Sequence, residues 1–228
     1  MSSGSVKHQF FDQLALVGKA LGNGNRLELL EFLAQTPRNV DALAAVCGMS
    51  VANTSQHLQR LSRAGLVSGE KEGQQMIYRL TDPAVVDLLA ALRGVAEANL
   101  AELKRLTERH LKPMDSLEAM PAREMLRLLK RGEVTVIDVR PPEEYAAGHL
   151  PGAANIPLAD LENHFSDPSL YRSVVAYCRG PYCALAYEAV AALRKKGITA
   201  KRLEDGFPEW KNAGLPVETG GEDPSGSS

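Results

Sequence analysis

The sequence predicts two domains of different class in one chain of 228 residues: an α+β domain of helices closed by a β-hairpin, then an α/β domain with a parallel sheet. Three observations carry this. Apolar residues recur at helical spacing through the first half, two apolar runs bracketing Gly73 mark a hairpin there, and beyond Lys112-Pro113 short β-rich runs alternate with helical patterns. The expected domains are 1–112 and 113–219. A disordered tail is expected over 220–228, where GGEDPSGSS has nothing to bury.

In the first half the helical pattern runs through Phe10-Leu14-Val17-Leu21, Leu27-Leu30-Leu33 and Leu43-Val46. Ser50 then reads as the N-cap of a helix over 51–64, with Gly65 as its stop. Leu66-Val67 and Met76 to Leu80 flank Glu72-Gly73-Gln74 as the two strands of the hairpin. Thr81-Asp82-Pro83 opens a last helix, expected to reach His110 and so to span about 42 Å. Its stripe of Val85, Leu88, Leu89, Leu92, Val95, Leu100, Leu103 and Leu106 is longer than a small domain covers, which predicts a homodimer.

Composition narrows the function classes. With 44% hydrophobic and 24% charged residues the chain is neither disordered throughout nor collagen-like. No apolar run reaches the roughly 18 residues that cross a bilayer, so no membrane partner is expected. The N-terminal stretch carries Asp12 within its apolar part and no cleavage site, and a cytoplasmic location is expected. Three cysteines, Cys47, Cys178 and Cys183, cannot make a fully paired disulfide framework. The net charge of −2 divides into 13 basic against 11 acidic residues over 1–112, and 13 against 17 over 113–228. From Ala42 through Gly69 there is no acid, while His57, Arg60 and Arg63 fall inside that window, a surface that approaches phosphates without repulsion.

In the second half the strands are expected at 134–139, 174–177 and 198–200. Tyr177 ends a strand, Cys178-Arg179-Gly180-Pro181-Tyr182-Cys183 forms a loop, and Ala184 begins a helix. The open end of a parallel strand before a helix is where such sheets place ligands. Unpaired N–H groups, the helix dipole and Arg179 all favour thiolate over thiol at Cys178, making it a nucleophile; the bland alternative is a buried cysteine closing a strand. Cys183 either resolves an adduct on Cys178 or fills space as the first helical residue.

Residues 116–218 resemble a single-domain rhodanese. The resemblance is carried by Asp138-Val139-Arg140 with Glu144-Tyr145 and Gly148-His149-Leu150-Pro151-Gly152-Ala153, by the Cys178 loop, and by Gly206-Phe207-Pro208-Glu209-Trp210. It implies sulfurtransferase chemistry, in which Cys178 takes a sulfane sulfur from thiosulfate or a persulfide and passes it to a thiol or cyanide. Asp138 and Arg140 are expected to fix the strand end, His149 to be structural, and Trp210 to pack beneath the loop. Phosphatases and arsenate reductases of that architecture need an Arg six positions after the cysteine, and position 184 is alanine.

Residues 10–110 resemble the arsenic-repressor (ArsR) family of dimeric winged helix-turn-helix regulators, through Leu43 to Ser50, Ser55 to Leu61, Ala64-Gly65-Leu66-Val67 and the wing ending Tyr78-Arg79-Leu80. The fold class is thus an α+β winged helix-turn-helix domain followed by an α/β rhodanese domain with a parallel sheet. The recognition helix presents Asn53, Thr54, Gln56, His57 and Arg60 to a major groove, and Lys71, Gln74 and Arg79 meet the backbone from the wing. Metal-sensing relatives carry paired cysteines where this chain has Asn39 and Asp41, and lone Cys47 is read as core filler. No metal and no cofactor are expected; the spacing of Asp87 and His110 supports no site between subunits. The expected function is a repressor of operator DNA whose rhodanese domain responds to reactive sulfur. The alternative is a sulfurtransferase whose winged helix serves dimerisation or localisation.

Overall fold

The computed structural model describes residues 3–115, 119–171 and 173–220. Two compact units divide between Leu89 and Ala90, inside a helix and upstream of the Lys112-Pro113 junction expected from the sequence. Beyond Gly220 the expected tail lies outside the described residues.

The first unit holds α1 (Ser3–Leu21), α2 (Gly24–Gln35), β1 (Arg38–Asn39), α3 (Val40–Val46), α4 (Val51–Arg63), β2 (Val67–Glu72), β3 (Gln75–Leu80) and the start of α5 (Ala84–Asn99). Leu29, Leu30, Leu43, Leu58 and Leu61, all fully buried, pack α2, α3 and α4 around one core that Val85 of α5 joins. Local chemistry sets the ends of α4. The Ser50 side chain accepts from Asn53 N, and at the other end Gly65, at φ 72°, lets Leu66 N reach Leu61 O and Gly65 N reach Ser62 O. The hairpin pairs β2 with β3 from Val67↔Leu80 to Glu72↔Gln75, and β1 adds a short third strand on β3 that the sequence pattern does not announce.

The second unit begins in α5 and continues through α6 (Ala101–Leu106), a π-turn over Thr107–Leu111, α7 (Ala122–Lys130), β4 (Thr135–Asp138), α8 (Pro142–Ala147), β5 (Ala154–Asn155), α9 (Leu161–His164), β6 (Val174–Tyr177), α10 (Ala184–Lys195), β7 (Ala200–Arg202) and α11 (Phe207–Asn212). Its sheet is parallel throughout, in the order β5-β4-β6-β7. β6 is central and buried along its length, which its unbroken Val-Val-Ala-Tyr run explains. Val174, Ala176, Ala189, Val190 and Leu193 form the core on one face; Val175, Tyr177, Phe207 and Trp210 form it on the other.

The single helix expected from Pro83 to His110 is broken. Asn99 donates its side-chain amide to Val95 O, competing with the backbone, and Leu100 turns extended (φ −100°, ψ 103°) before α6 restarts. No described helix is long and apolar enough to cross a membrane.

Leu58→Ala opens a cavity in a core that α2, α3 and α4 share, and is expected to cost about 2–5 kcal/mol. Urea unfolding followed by circular dichroism measures the loss. Fluorescence of Trp210, the sole tryptophan, follows the second unit separately.

Candidate functional site: a two-cysteine loop and an acid-free helix

In the second unit the chain leaves β6 at Tyr177 and turns through six residues into α10. Cys178 is 2% exposed, its side chain within the apolar cluster under the sheet's open end, and Cys183 stands at the N-cap of α10. The two are joined as a disulfide with their Cα atoms 6.3 Å apart. The loop is tightened by Cys183 N donating to Gly180 O at 3.0 Å, and held from behind by Phe207 N donating to Cys178 O at 3.1 Å. That contact needs glycine at 206, because a Cβ there would stand 2.1 Å from the Arg179 carbonyl oxygen. The GFPEW segment therefore backs the loop rather than lining it, and Trp210, 1% exposed, donates its indole N–H to Pro216 O.

The charged residues around the loop are mostly committed to one another. Arg179 grips Glu144 with Nε and Nη2 at 2.9–3.0 Å, and Glu144 is fully buried, so this guanidinium is a clamp between the loop and α8 with its charge matched. Arg179, expected from the sequence to favour a thiolate at Cys178, is thus paired with Glu144. Glu144 was not singled out beforehand, and only its place in the first signature hinted at it. Arg140 and Asp138, both fully buried, form the strand-end clamp expected of them. Arg140 Nε and Nη2 meet the Asp138 carboxylate, and Nη2 also donates to Gly148 O. Burial works against the Arg140 charge, but the Asp138 hydrogen bonds and charge outweigh it and hold the guanidinium above its usual range. His149 stacks on Tyr145 with ring centroids 3.7 Å apart, and its Nδ1 lies 2.9 Å from Tyr145 O, a structural setting.

In the first unit, α4 turns Asn53, Gln56 and Arg60 outward together with Gln59 and Arg63, which share their periodicity and were not named as contacts. Thr54 and His57, expected on that outer face, are buried at 0% and 7% exposure. Helical phase is the reason: both share a face with Leu58 and Leu61, three, four and seven residues apart. Thr54 Oγ1 donates to Ser50 O inside the first turn, while His57 Nδ1 is buried with no hydrogen-bond partner among the described residues. On the wing Arg79 is held by Glu70 at 2.6 Å and Glu72 at 2.8 Å, leaving Lys71 as the exposed cation. Asn39 accepts from Ala42 N as the N-cap of α3. Cys47 packs on the first core, where burial, then Glu28, pushes its thiol up to about 12.

The comparisons with known proteins agree with this division. Residues 121–213 match the rhodanese-like domain family, and residues 21–70 match a helix-turn-helix domain family. Over 214 residues, 94% of each chain, the sequence is 44% identical to the HTH-type transcriptional regulator Rv0324 of Mycobacterium tuberculosis. Over 92 residues, 40% of this chain and 84% of the relative, it is 34% identical to a sulfurtransferase of Allochromatium vinosum. Among solved structures, the homodimeric winged helix-turn-helix DNA-binding domain of a possible ArsR-family regulator from Mycobacterium bovis is 40% identical, covering 45% of this chain and 93% of that one, with a TM-score of 0.41.

The buried histidine generates a pH prediction. Burial, then the charges of Arg26 and Arg60, lowers the His57 pKa, so folding favours the neutral ring. Its contribution is present above the unfolded value of about 6.5 and is lost as pH falls through the lowered folded value. Urea unfolding at pH 7.5 and pH 5 is expected to show wild type losing more stability on acidification than His57→Gln.

Proposed function

Because the chain belongs to the family of transcriptional regulators that join an ArsR-type helix-turn-helix to a rhodanese-like domain, we propose that it is a cytoplasmic, homodimeric repressor whose operator affinity responds to sulfane sulfur carried on Cys178. The observation that carries this reading is the pair of cysteines at the open end of β6, joined to each other as a disulfide. A lone loop cysteine carries sulfur. A second one beside it gives the loop two chemically distinct loaded states.

The chemistry runs in balanced steps. The Cys178 thiolate attacks the sulfane sulfur of thiosulfate, forming an Sγ–S bond as the S–S bond of the donor breaks and sulfite leaves. A persulfide donor does the same and leaves as its parent thiolate. An acceptor thiolate attacking the outer sulfur carries it away and restores the Cys178 thiolate. When the Cys183 thiolate attacks Cys178 Sγ instead, the Cys178–Cys183 disulfide forms and hydrosulfide is expelled. A cellular dithiol then returns the loop to its two-thiol state. Gly180, Pro181 and Tyr182 shape the loop that admits the donor, and Arg179 keeps it tied to Glu144.

In the DNA-binding half, Asn53, Gln56 and Arg60 supply the groove-facing donors and acceptors, and Lys71 supplies a phosphate contact from the wing. The dimer rests on uncovered apolar surface. Phe10, Phe11 and Leu14 of α1 are 57–69% exposed and Val95 of α5 is 64% exposed, faces that a second copy covers. The likeness to a sulfurtransferase supports the second reading, an enzyme whose winged helix serves dimerisation or localisation.

Operator duplexes selected from a randomised library, with fluorescence anisotropy at fixed salt, separate the two. Thiosulfate or polysulfide treatment is expected to change wild-type affinity roughly 5- to 150-fold and leave Cys178→Ser unchanged. Equal affinity throughout supports the enzyme-first reading. In a thiosulfate assay, Cys178→Ser abolishes turnover while Cys183→Ser keeps much of it; equal total loss in both folded variants overturns Cys178 as sole nucleophile.

A further inference from the structure

We propose that Glu97 and Tyr182 form a latch that holds Cys183 against Cys178, so that α5 sets the thiol–disulfide balance of the sulfur loop. This rests on the two-cysteine reading above and adds positioning residues from outside the rhodanese-like segment.

The second unit takes in residues 90–99 of α5, and two of them, Arg93 and Glu97, lie one turn apart on the same face. Glu97 Oε1 accepts from the Tyr182 hydroxyl at 2.7 Å, and Tyr182 is the chain neighbour of Cys183. Arg93 Nη1 meets Glu209 at 3.1 Å and its Nη2 meets Asp205 at 3.8 Å. The Glu209 carboxylate in turn accepts from Gly206 N, directly before the Phe207 N–H that holds the Cys178 carbonyl. One face of α5 thus grips the loop at both ends, through Tyr182 beside Cys183 and through the 205–209 turn behind Cys178.

Three further observations bear on the Tyr182 contact, which adds to the loop's other restraints. A cleft of about 790 Å³, lined by Arg93, Glu97, Lys104, Pro181, Tyr182 and Arg202 among others, lies alongside, so Pro181 and Tyr182 have open space there instead of packed side chains. Tyr182 is 41% exposed. Burial and the Glu97 carboxylate push the phenol above its ordinary value, so it stays a donor throughout the physiological range. When the latch is made, Cys183 is held near Cys178 and its effective concentration is high; when it opens, the disulfide closes a looser loop. α5 runs unbroken from Ala84, and Val85 at its start is part of the first unit's core.

The test is a redox titration of the full chain. Wild type, Glu97→Ala, Tyr182→Phe and the double variant are equilibrated across ratios of reduced to oxidised dithiothreitol, trapped with a maleimide and read by mass. In this exchange one dithiothreitol thiolate opens the protein disulfide, its second thiol closes the cyclic disulfide, and two protein thiols are left. Each single variant is expected to move the midpoint toward the dithiol form by roughly 3- to 10-fold, and the double variant by no more than either single one. Glu97→Gln, which keeps an acceptor oxygen, recovers much of the shift. The reduced proteins melt together, which a general loss of structure would not give. A Glu97→Ala midpoint within twofold of wild type overturns the latch, as does an additive double variant. Failure of wild type to form the disulfide at any ratio is a separate result that removes the two-cysteine reading itself and the latch with it.

Discussion

The fully buried Asp138–Arg140 pair ties the second unit's functional end together. Arg140 leaves β4 and takes both carboxylate oxygens of Asp138, then the Gly148 carbonyl, with its guanidinium 4.3 Å from the Phe207 ring and 5.5 Å from that of Tyr177. Tyr177 is the last residue before Cys178 and its hydroxyl accepts from Leu150 N; Phe207 is the residue whose N–H holds the Cys178 carbonyl. One buried ion pair therefore braces both sides of the Cys178 loop. Removing one partner would leave an uncompensated charge in the core, a loss of about 3–5 kcal/mol. Its value lies in the geometry it imposes, since two apolar residues could fill the same volume without strand and loop being held in register.

Charge is arranged differently in the two units. Around the Cys178 loop two long-range pairs are closed, Arg179 with Glu144 and Arg93 with Glu209. A loop flanked by matched pairs presents little net field. On the outward face of α4, Arg60 and Arg63 stand exposed among neutral polar residues in a stretch of sequence without acids. Phosphates meet an open field there. The same residue type thus locks one site and leaves the other available.

Much of this was legible in the sequence where local chemistry decides. Ser50 and Gly65 bound α4, Gly73 turns the wing, and the Val-Val-Ala-Tyr run followed by Cys178 marks a buried strand end. Helical phase was also present, since Leu58 and Leu61 facing inward carry Thr54 and His57 with them, but the acid-free window drew attention to charge rather than to angle. The break at Leu100 goes with an Asn99 side-chain bond to Val95 O, which residue pattern does not reveal. β1 and β5, two residues each, are too short for any periodicity. Pairs such as Glu144–Arg179 and Glu97–Tyr182 join residues far apart in the chain and belong to tertiary packing alone.

The setting of Cys47 has a practical consequence for handling this protein. Burial, then Glu28, raises the Cys47 thiol above its ordinary value, so it is less ionised at neutral pH than a free cysteine. Alkylating reagents and oxidants act on the thiolate, so Cys47 reacts more slowly than an unperturbed cysteine. Label stoichiometry before and after reduction, read against that slow background, therefore counts the bridge between Cys178 and Cys183.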